Sequence, residues 1–265
     1  MKTEEVRKLV EAYYDLQKIR IETENRITNY IRDNSENLNY EVVRGSGITK
    51  KQIEKLLKDK KYSMVKDLLC QDKLRIGDLD ELVWFRNELY RTENDLAKRI
   101  ERWVKEHKIY KEFLRKVRGV GPILSAGLIS WIGDISRFSS PSKLWKYCGL
   151  SPDSVRKKGE KLNYNPKLKT LCWKIWNNML KARGFGYKLY LEGKELCARK
   201  HPDWTKGHIH NWAGRRTVKV FLSCLWDKWR ELEGLPRSKP YPIQFLGHTD
   251  IVTPSDWIEK NKEDV

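Results

Sequence analysis

Long apolar runs are missing from this sequence. No stretch approaches the roughly 20 consecutive apolar residues that a membrane-spanning helix requires. The first residues, Met1-Lys2-Thr3-Glu4-Glu5, hold no apolar core of a secretory signal. Cysteine is sparse: Cys70, Cys148, Cys172, Cys197 and Cys224 are odd in number and widely scattered. That pattern argues against a disulfide framework and predicts reduced thiols. Together these absences predict an intracellular protein with no membrane partner. Proline and glycine are absent from residues 78–117, so nothing there punctuates a helix. Carboxylates are scarce in one segment only. Residues 110–230 hold 26 Lys and Arg against 8 Asp and Glu, while the rest of the 265-residue chain holds 28 of each. The whole net charge of +18 therefore resides in that segment. Its few carboxylates show no spacing that suggests a two-metal centre. An excess of cations attracts phosphate backbones and releases their counterions, so nucleic acid is the expected partner.

At the head of the basic segment stands Phe113-Leu114-Arg115-Lys116-Val117-Arg118-Gly119-Val120-Gly121-Pro122, followed by apolar residues to Ile129. It reads as helix, Gly-Val-Gly hairpin, helix. Gly119 and Gly121 permit tight or left-handed turns, and Pro122 suits the first position of a helix. Backbone N–H groups of Gly119, Val120 and Gly121 before a helix N-terminus suit an anion, and Arg115, Lys116 and Arg118 flank them. The spacing predicts a helix-hairpin-helix that grips a phosphate without reading bases. A second basic cluster, Arg156, Lys157, Lys158 and Lys161, falls in a polar stretch after Ser151-Pro152 and predicts an exposed loop on the backbone. Arg215, Arg216 and Lys219 lie on the polar side of a helix beginning near Trp204 or Gly207 and running to Trp229.

The rest of the chain predicts an all-α fold. Residues 3–33 carry Leu9, Tyr13, Leu16, Arg20, Glu24, Ile27 and Ile31 at alternating three-four spacing, a helical seam with two polar members that can set register. Leu82 to Val117 keep the same alternation, which predicts one long helix antiparallel to the first, with a kink expected near 106–109 if anywhere. These helices form a coiled-coil-like arm that predicts a homodimer. Short helices are expected around Ile53 and Met64, after Ser140-Pro141, and over 166–182; Gly184 and Gly186 break the pattern after the last of these. Prolines 236, 240 and 242 predict an extended strap, closed by a turn or short helix from Thr253-Pro254.

Other chemistry is thin. Cys197, His201, His208 and His210 are the one cluster with metal-ligand residue types, but their spacing fits no zinc pattern, so no metal or cofactor is expected. Ser154 and Ser151 are the serines nearest the basic loop, and neither has an activating neighbour in sequence. Of the tryptophans among the cations, Trp176 and Trp212 fall on packing faces, whereas Trp173 and Trp204 are candidates to stack on unpaired bases.

Residues 110–183 resemble the C-terminal domain of the insertion-sequence 110 family of transposases, also called the 116/110/902 group. The resemblance is carried by Val117-Arg118-Gly119-Val120-Gly121-Pro122, Ala126, Gly133-Asp134-Ile135-Ser136-Arg137-Phe138, Ser139, Leu144, Tyr147 and Cys148-Gly149-Leu150-Ser151-Pro152. The helix with Arg215 and Arg216 resembles the family's closing helix more loosely. The resemblance implies DNA handling: family members are RNA-guided recombinases with a RuvC-like nuclease domain, a coiled coil and a helical domain bearing a nucleophilic serine. Two departures stand out. The first 110 residues show no alternating strands with carboxylates, and the place of the serine run reads Arg156-Lys157-Lys158-Gly159. The expectation is an arm over 1–109, a basic DNA-binding domain over 110–232 and a strap over 233–265. DNA is the expected ligand, with RNA left open. An active recombinase using Ser154 or Ser151, with a partner nuclease, and a protein-assembly module with a basic face are the alternatives.

Overall fold

The computed structural model describes residues 1–156, 158–239 and 252–260. Among these the fold is all-α apart from one antiparallel pair of two-residue strands. Two compact units are present: residues 8–99, and residues 1–7 together with 100–265. Among the described residues no helix is long and apolar enough to cross a membrane.

The unit of residues 8–99 is built on α1 (Thr3–Asp33) and α4 (Asp80–Val104). Between them come β1 (Glu41–Val42), α2 (Lys50–Lys58), α3 (Tyr62–Cys70) and β2 (Leu74–Arg75). α1 and α4 run antiparallel, as their cross-links show: Gln17 and Arg20 reach Glu93, and Arg86 reaches Glu24. α2 starts at a capping box in which Thr49 and Gln52 satisfy each other's backbone N–H groups. It folds with α3 over Ile27 and Ile31, and Ile53, Val65, Leu69 and Leu74 complete that core. Fully burying a Leu or Ile side chain contributes about 1.5–3 kcal/mol. The β1–β2 pairing, Glu41 with Arg75 and Val42 with Leu74, has no sequence signal at two residues a strand.

The long second helix ends earlier than its periodicity predicts. α4 stops at Val104, residues 105–107 turn, and α5 (Lys108–Glu112) and a 3-10 turn (Leu114–Lys116) follow. His107, in extended conformation, makes the break; its ring lies 4.0 Å from that of Trp103, and Nδ1 meets the Trp103 carbonyl at 3.1 Å. The break lets Ile109, Tyr110, Phe113 and Leu114 all turn inward, with Phe113 stacked on Phe221 at 6.0 Å. Tertiary burial here overrides local periodicity.

The rest of the basic unit comprises α6 (Pro122–Ile132), a 3-10 turn (Ile135–Arg137), α7 (Pro141–Tyr147), α8 (Pro166–Ala182), α9 (Phe185–Lys200), α10 (Lys206–Leu232) and α11 (Pro254–Glu259). α10 is its axis, packing against α7, α8 and α9. Val218, Phe221, Leu222, Leu225 and Trp226 along it are fully buried. α9 runs where Gly184 and Gly186 predict a break. Gly186 lies inside α9, where a Cβ would meet the Met179 side chain at 3.0–3.2 Å, so the glycine serves helix packing rather than interruption. α11 opens with a capping box between Thr253 and Asp256 and buries Trp257 completely against Phe185 and Phe221. Residues 240–251 and 261–265 of the expected strap lie outside the described residues.

Candidate nucleic-acid interface

The Gly-Val-Gly hairpin is a tight turn between a 3-10 turn and α6. Gly119 takes φ +88°, and a Cβ there would stand 2.8 Å from the backbone of Met179. Its conformation and its closeness to α8 both demand glycine. Gly121 is different: at φ −77° and ψ 178° it is ordinary extended backbone capping α6, with Pro122 at the first helical position. Val120 is a core residue, 3% exposed, and its N–H donates to the Val117 carbonyl at 3.1 Å. Of the three residues expected to offer N–H groups, Val120 therefore has its own engaged within the turn. The first-turn N–H groups of Ile123 and Leu124 have no partner within α6. Arg115 and Arg118 are exposed, and Lys116 is half-buried beside Glu112 at 3.4 Å.

The basic loop between α7 and α8 is fastened at both ends. Lys146 pairs with Asp153 at 2.9 Å, which holds the Asp153 carboxyl below its usual pKa. The Asn163 side chain donates to the Asp153 carbonyl, and the Asn165 N–H donates to the Tyr147 carbonyl at 2.8 Å. Lys169, on the first turn of α8, donates to the Ser154 carbonyl at 3.3 Å and lies 4.5 Å from the Tyr164 ring centroid. Lys169 and Tyr164 escape a reading from spacing, because the helix start at Asn165 stands between them. From this frame Arg156, Lys158 and Lys161 project as exposed cations. Lys157 lies outside the described residues.

On α10 the three expected cations differ. Arg215 is exposed. Arg216 is half-buried and donates to the Leu189 carbonyl at 3.3 Å. Lys219 lies 5.3 Å from the Trp145 ring centroid, and its own carbonyl accepts from the Trp145 indole N–H at 3.0 Å. Burial, then the charge of Arg215, pushes the Lys219 pKa down. Other inward cations find the same kinds of partner. Arg7 donates to the Ser130 carbonyl at 2.6 Å, and Arg230 donates to the carbonyls of Pro236, Phe138 and Ile135 while lying 5.1 Å from the Trp226 centroid. A carbonyl or a ring face satisfies an N–H group without cancelling its charge. The positive excess of the unit is thus retained.

Trp204 cannot serve as a stacking platform as it stands. His201 and His208 lie on it in near-parallel stacks, each with ring centroids 4.0 Å away. Trp173 is the opposite case, 55% exposed. The stacks also account for two of the four metal-type residues. Of the others, Cys197 is buried, and the His210 Nδ1 stands 2.5 Å from the Tyr190 hydroxyl. Among the described residues no group of three or more His, Cys, Asp or Glu is gathered to hold a metal. The Ser154 Oγ is buried without a hydrogen-bond partner, and Ser151 is half-buried. All five cysteines are free thiols. A hydrogen bond from the Cys148 thiol to Cys172, together with burial, pushes the Cys148 pKa well up, and burial pushes Cys224 to about 12, so neither is poised as a nucleophile.

No curated protein and no solved structure matches the chain. α10, with Arg215 and Arg216, lies beyond a family match that takes in the hairpin, the basic loop and the first half of α8. That segment, residues 111–175, matches the Transposase IS116/IS110/IS902 family.

Proposed function

We propose that the chain is a transposase-related DNA-binding protein that grips the sugar–phosphate backbone through the Gly119–Gly121 hairpin and the loop of Arg156, Lys157, Lys158 and Lys161. One observation carries this reading. The family match at 111–175 falls inside the segment, 110–230, that holds the entire positive excess. Within it, the inward cations meet carbonyls and aromatic rings, so their charge still acts on an anion nearby. A phosphate at the hairpin would meet the N–H groups of Gly121, Ile123 and Leu124, with Arg118 beside it. The arm of 1–109 pairs with a second copy. Its seam residues Arg20 and Glu24 are bonded within the chain, so the dimer face falls to the exposed Ile21, Trp84 and Phe85.

Binding of the full chain to two unrelated duplexes, followed by fluorescence anisotropy across a salt series, tests this. Arg118→Ala should weaken both duplexes alike and lower the salt slope by about one unit. If folded Arg118→Ala and Lys158→Ala/Lys161→Ala both bind like the parent, the basic face is not the DNA site, and a protein-assembly role moves ahead. The recombinase alternative expects nicking of supercoiled plasmid with magnesium, lost on Ser154→Ala; the binding role expects none.

A further inference from the structure

Trp173 is the feature that backbone gripping leaves without a role. Apart from Trp173 and the half-buried Trp212, the tryptophans of α8 and α10 are inside: Trp176, Trp226 and Trp229 are each 6% exposed or less. Trp173 keeps one edge against Trp176, at 6.4 Å and 81°, and Trp176 is in turn stacked on Tyr190 at 6.3 Å and 16°. The indole, more than half exposed, is therefore braced by a buried aromatic pair. Among the described residues of this unit, only Met1, Val155 and Leu191 are the other large hydrophobics with comparable exposure. A single exposed indole is small beside the contiguous apolar surface of a protein-docking patch.

Its surroundings indicate the ligand. Lys169 lies one helical turn before Trp173, and residues four apart on a helix are surface neighbours. Lys169 is also the side chain that fastens α8 to the basic loop, through the Ser154 carbonyl. The exposed ring thus shares a side of the unit with the loop that bears Arg156, Lys158 and Lys161. A closed duplex presents phosphates but keeps its base faces stacked inside, whereas an unpaired strand offers phosphates and base faces together. We infer that Trp173 stacks on an unpaired base of a single-stranded or locally opened nucleic acid whose phosphates lie along the 156–161 loop. This rests on the DNA-binding role proposed above and narrows its ligand. Trp204, enclosed by two histidines, takes no part.

Four fluorescent probes test it with the full chain by anisotropy: short oligo(dT), an abasic strand of the same length, oligo(U) and a blunt duplex. Trp173→Ala should weaken oligo(dT) about tenfold, equivalent to about 1.4 kcal/mol. Trp173→Tyr should retain most of the affinity, and the abasic strand and the duplex should change by less than about twofold. Equal loss on oligo(U) assigns the platform to any unpaired base, and loss on oligo(U) alone assigns it to RNA. Unchanged oligo(dT) and oligo(U) binding, or equal loss on the abasic strand, overturns the stacking role while duplex binding leaves the wider function standing. Failure of the parent protein to bind any of the four overturns both. Should the alanine variant melt early, Trp173→Gln carries the same expectation.

Discussion

The two units handle charge in opposite ways. In the unit of residues 8–99, cations meet carboxylates. Glu24 takes Arg20 at 2.9 Å, Arg86 at 2.6 Å and Lys66 at 3.6 Å, and Glu93 takes Arg20 at 2.6 Å and Gln17 at 3.1 Å. The five charged side chains, Arg20, Glu24, Lys66, Arg86 and Glu93, are largely buried, and each cation stands against a carboxylate. In the basic unit carboxylates are too few to match the cations, and pairs such as Lys146–Asp153 and Lys116–Glu112 neutralise only part of the charge. Arg7, Lys169, Arg216 and Arg230 donate to backbone carbonyls, and Arg137, Lys219 and Arg230 lie over aromatic rings. Both arrangements satisfy N–H groups, but only the first removes the field. Net charge per segment therefore says less than what its cations are bonded to: a unit whose cations rest on carbonyls still attracts an anion.

The largest expected effect is in the basic unit. Gly119→Val forces a β-branched side chain to φ +88° and drives a Cβ to 2.8 Å from the α8 backbone. It should cost about 4 kcal/mol, measured by denaturant unfolding. Gly121→Ala, with nothing within 4 Å and a negative φ, should cost no more than about 1 kcal/mol. Equal losses would show that the turn does not need its left-handed glycine.

Glu24→Ala comes next, in the other unit. It leaves Arg86 and Lys66 in a largely buried site without their carboxylate and should cost about 3 kcal/mol. The same site sets a pH dependence. Burial raises the Glu24 pKa, but hydrogen bonds from Arg86 and Arg20 and the charge of Lys66 outweigh it, and the group titrates below its ordinary value of 4.5. A carboxyl depressed on folding contributes its full stability above the unfolded pKa and loses it as pH falls through the folded one. Melting temperature should therefore fall as the solution is acidified below about pH 4.5, and Glu24→Gln should flatten that limb. An unchanged acid limb would place the sensitivity elsewhere. The smallest effect belongs to the exposed pair Lys146–Asp153: Asp153→Ala should change stability by less than about 0.5 kcal/mol.

What the sequence makes legible follows from how local each cause is. The span of α1, Thr3–Asp33, agrees with its seam, and the polar members Arg20 and Glu24 meet their partners on α4. The capping pattern at Thr253 and Pro254 likewise announces α11. The break after Val104 falls beside the kink expected near 106–109, but its depth is hidden, because Leu114 and Val117 keep the heptad spacing after the helix has ended. α9 is hidden because Gly184 and Gly186 look like breakers, although one caps the helix and the other makes room for Met179. At the interface, the exposed Arg118, Arg156, Lys158 and Lys161 are legible from composition. The closure of Trp204 between His201 and His208, the engaged N–H of Val120 and the anchoring by Lys169 depend on packing between elements and carry no pattern of their own.

The most direct measurement compares the two units in one assay. Salt dependence of binding to a DNA duplex is followed for the full chain, for Arg156→Ala/Lys158→Ala/Lys161→Ala, and for Lys18→Ala/Arg91→Ala/Lys98→Ala. The second trio is as exposed as surface cations become, at 76%, 74% and 72%, but lies in the other unit beside carboxylates. Each lost phosphate contact reduces the slope of log affinity against log salt by about 0.9, so the loop variant should be shallower by about 2.7 units. The second variant should match the parent. Equal slopes for the parent and the loop variant, or an equal drop in both variants, would contradict the claim that the retained charge of the basic unit is what meets nucleic acid.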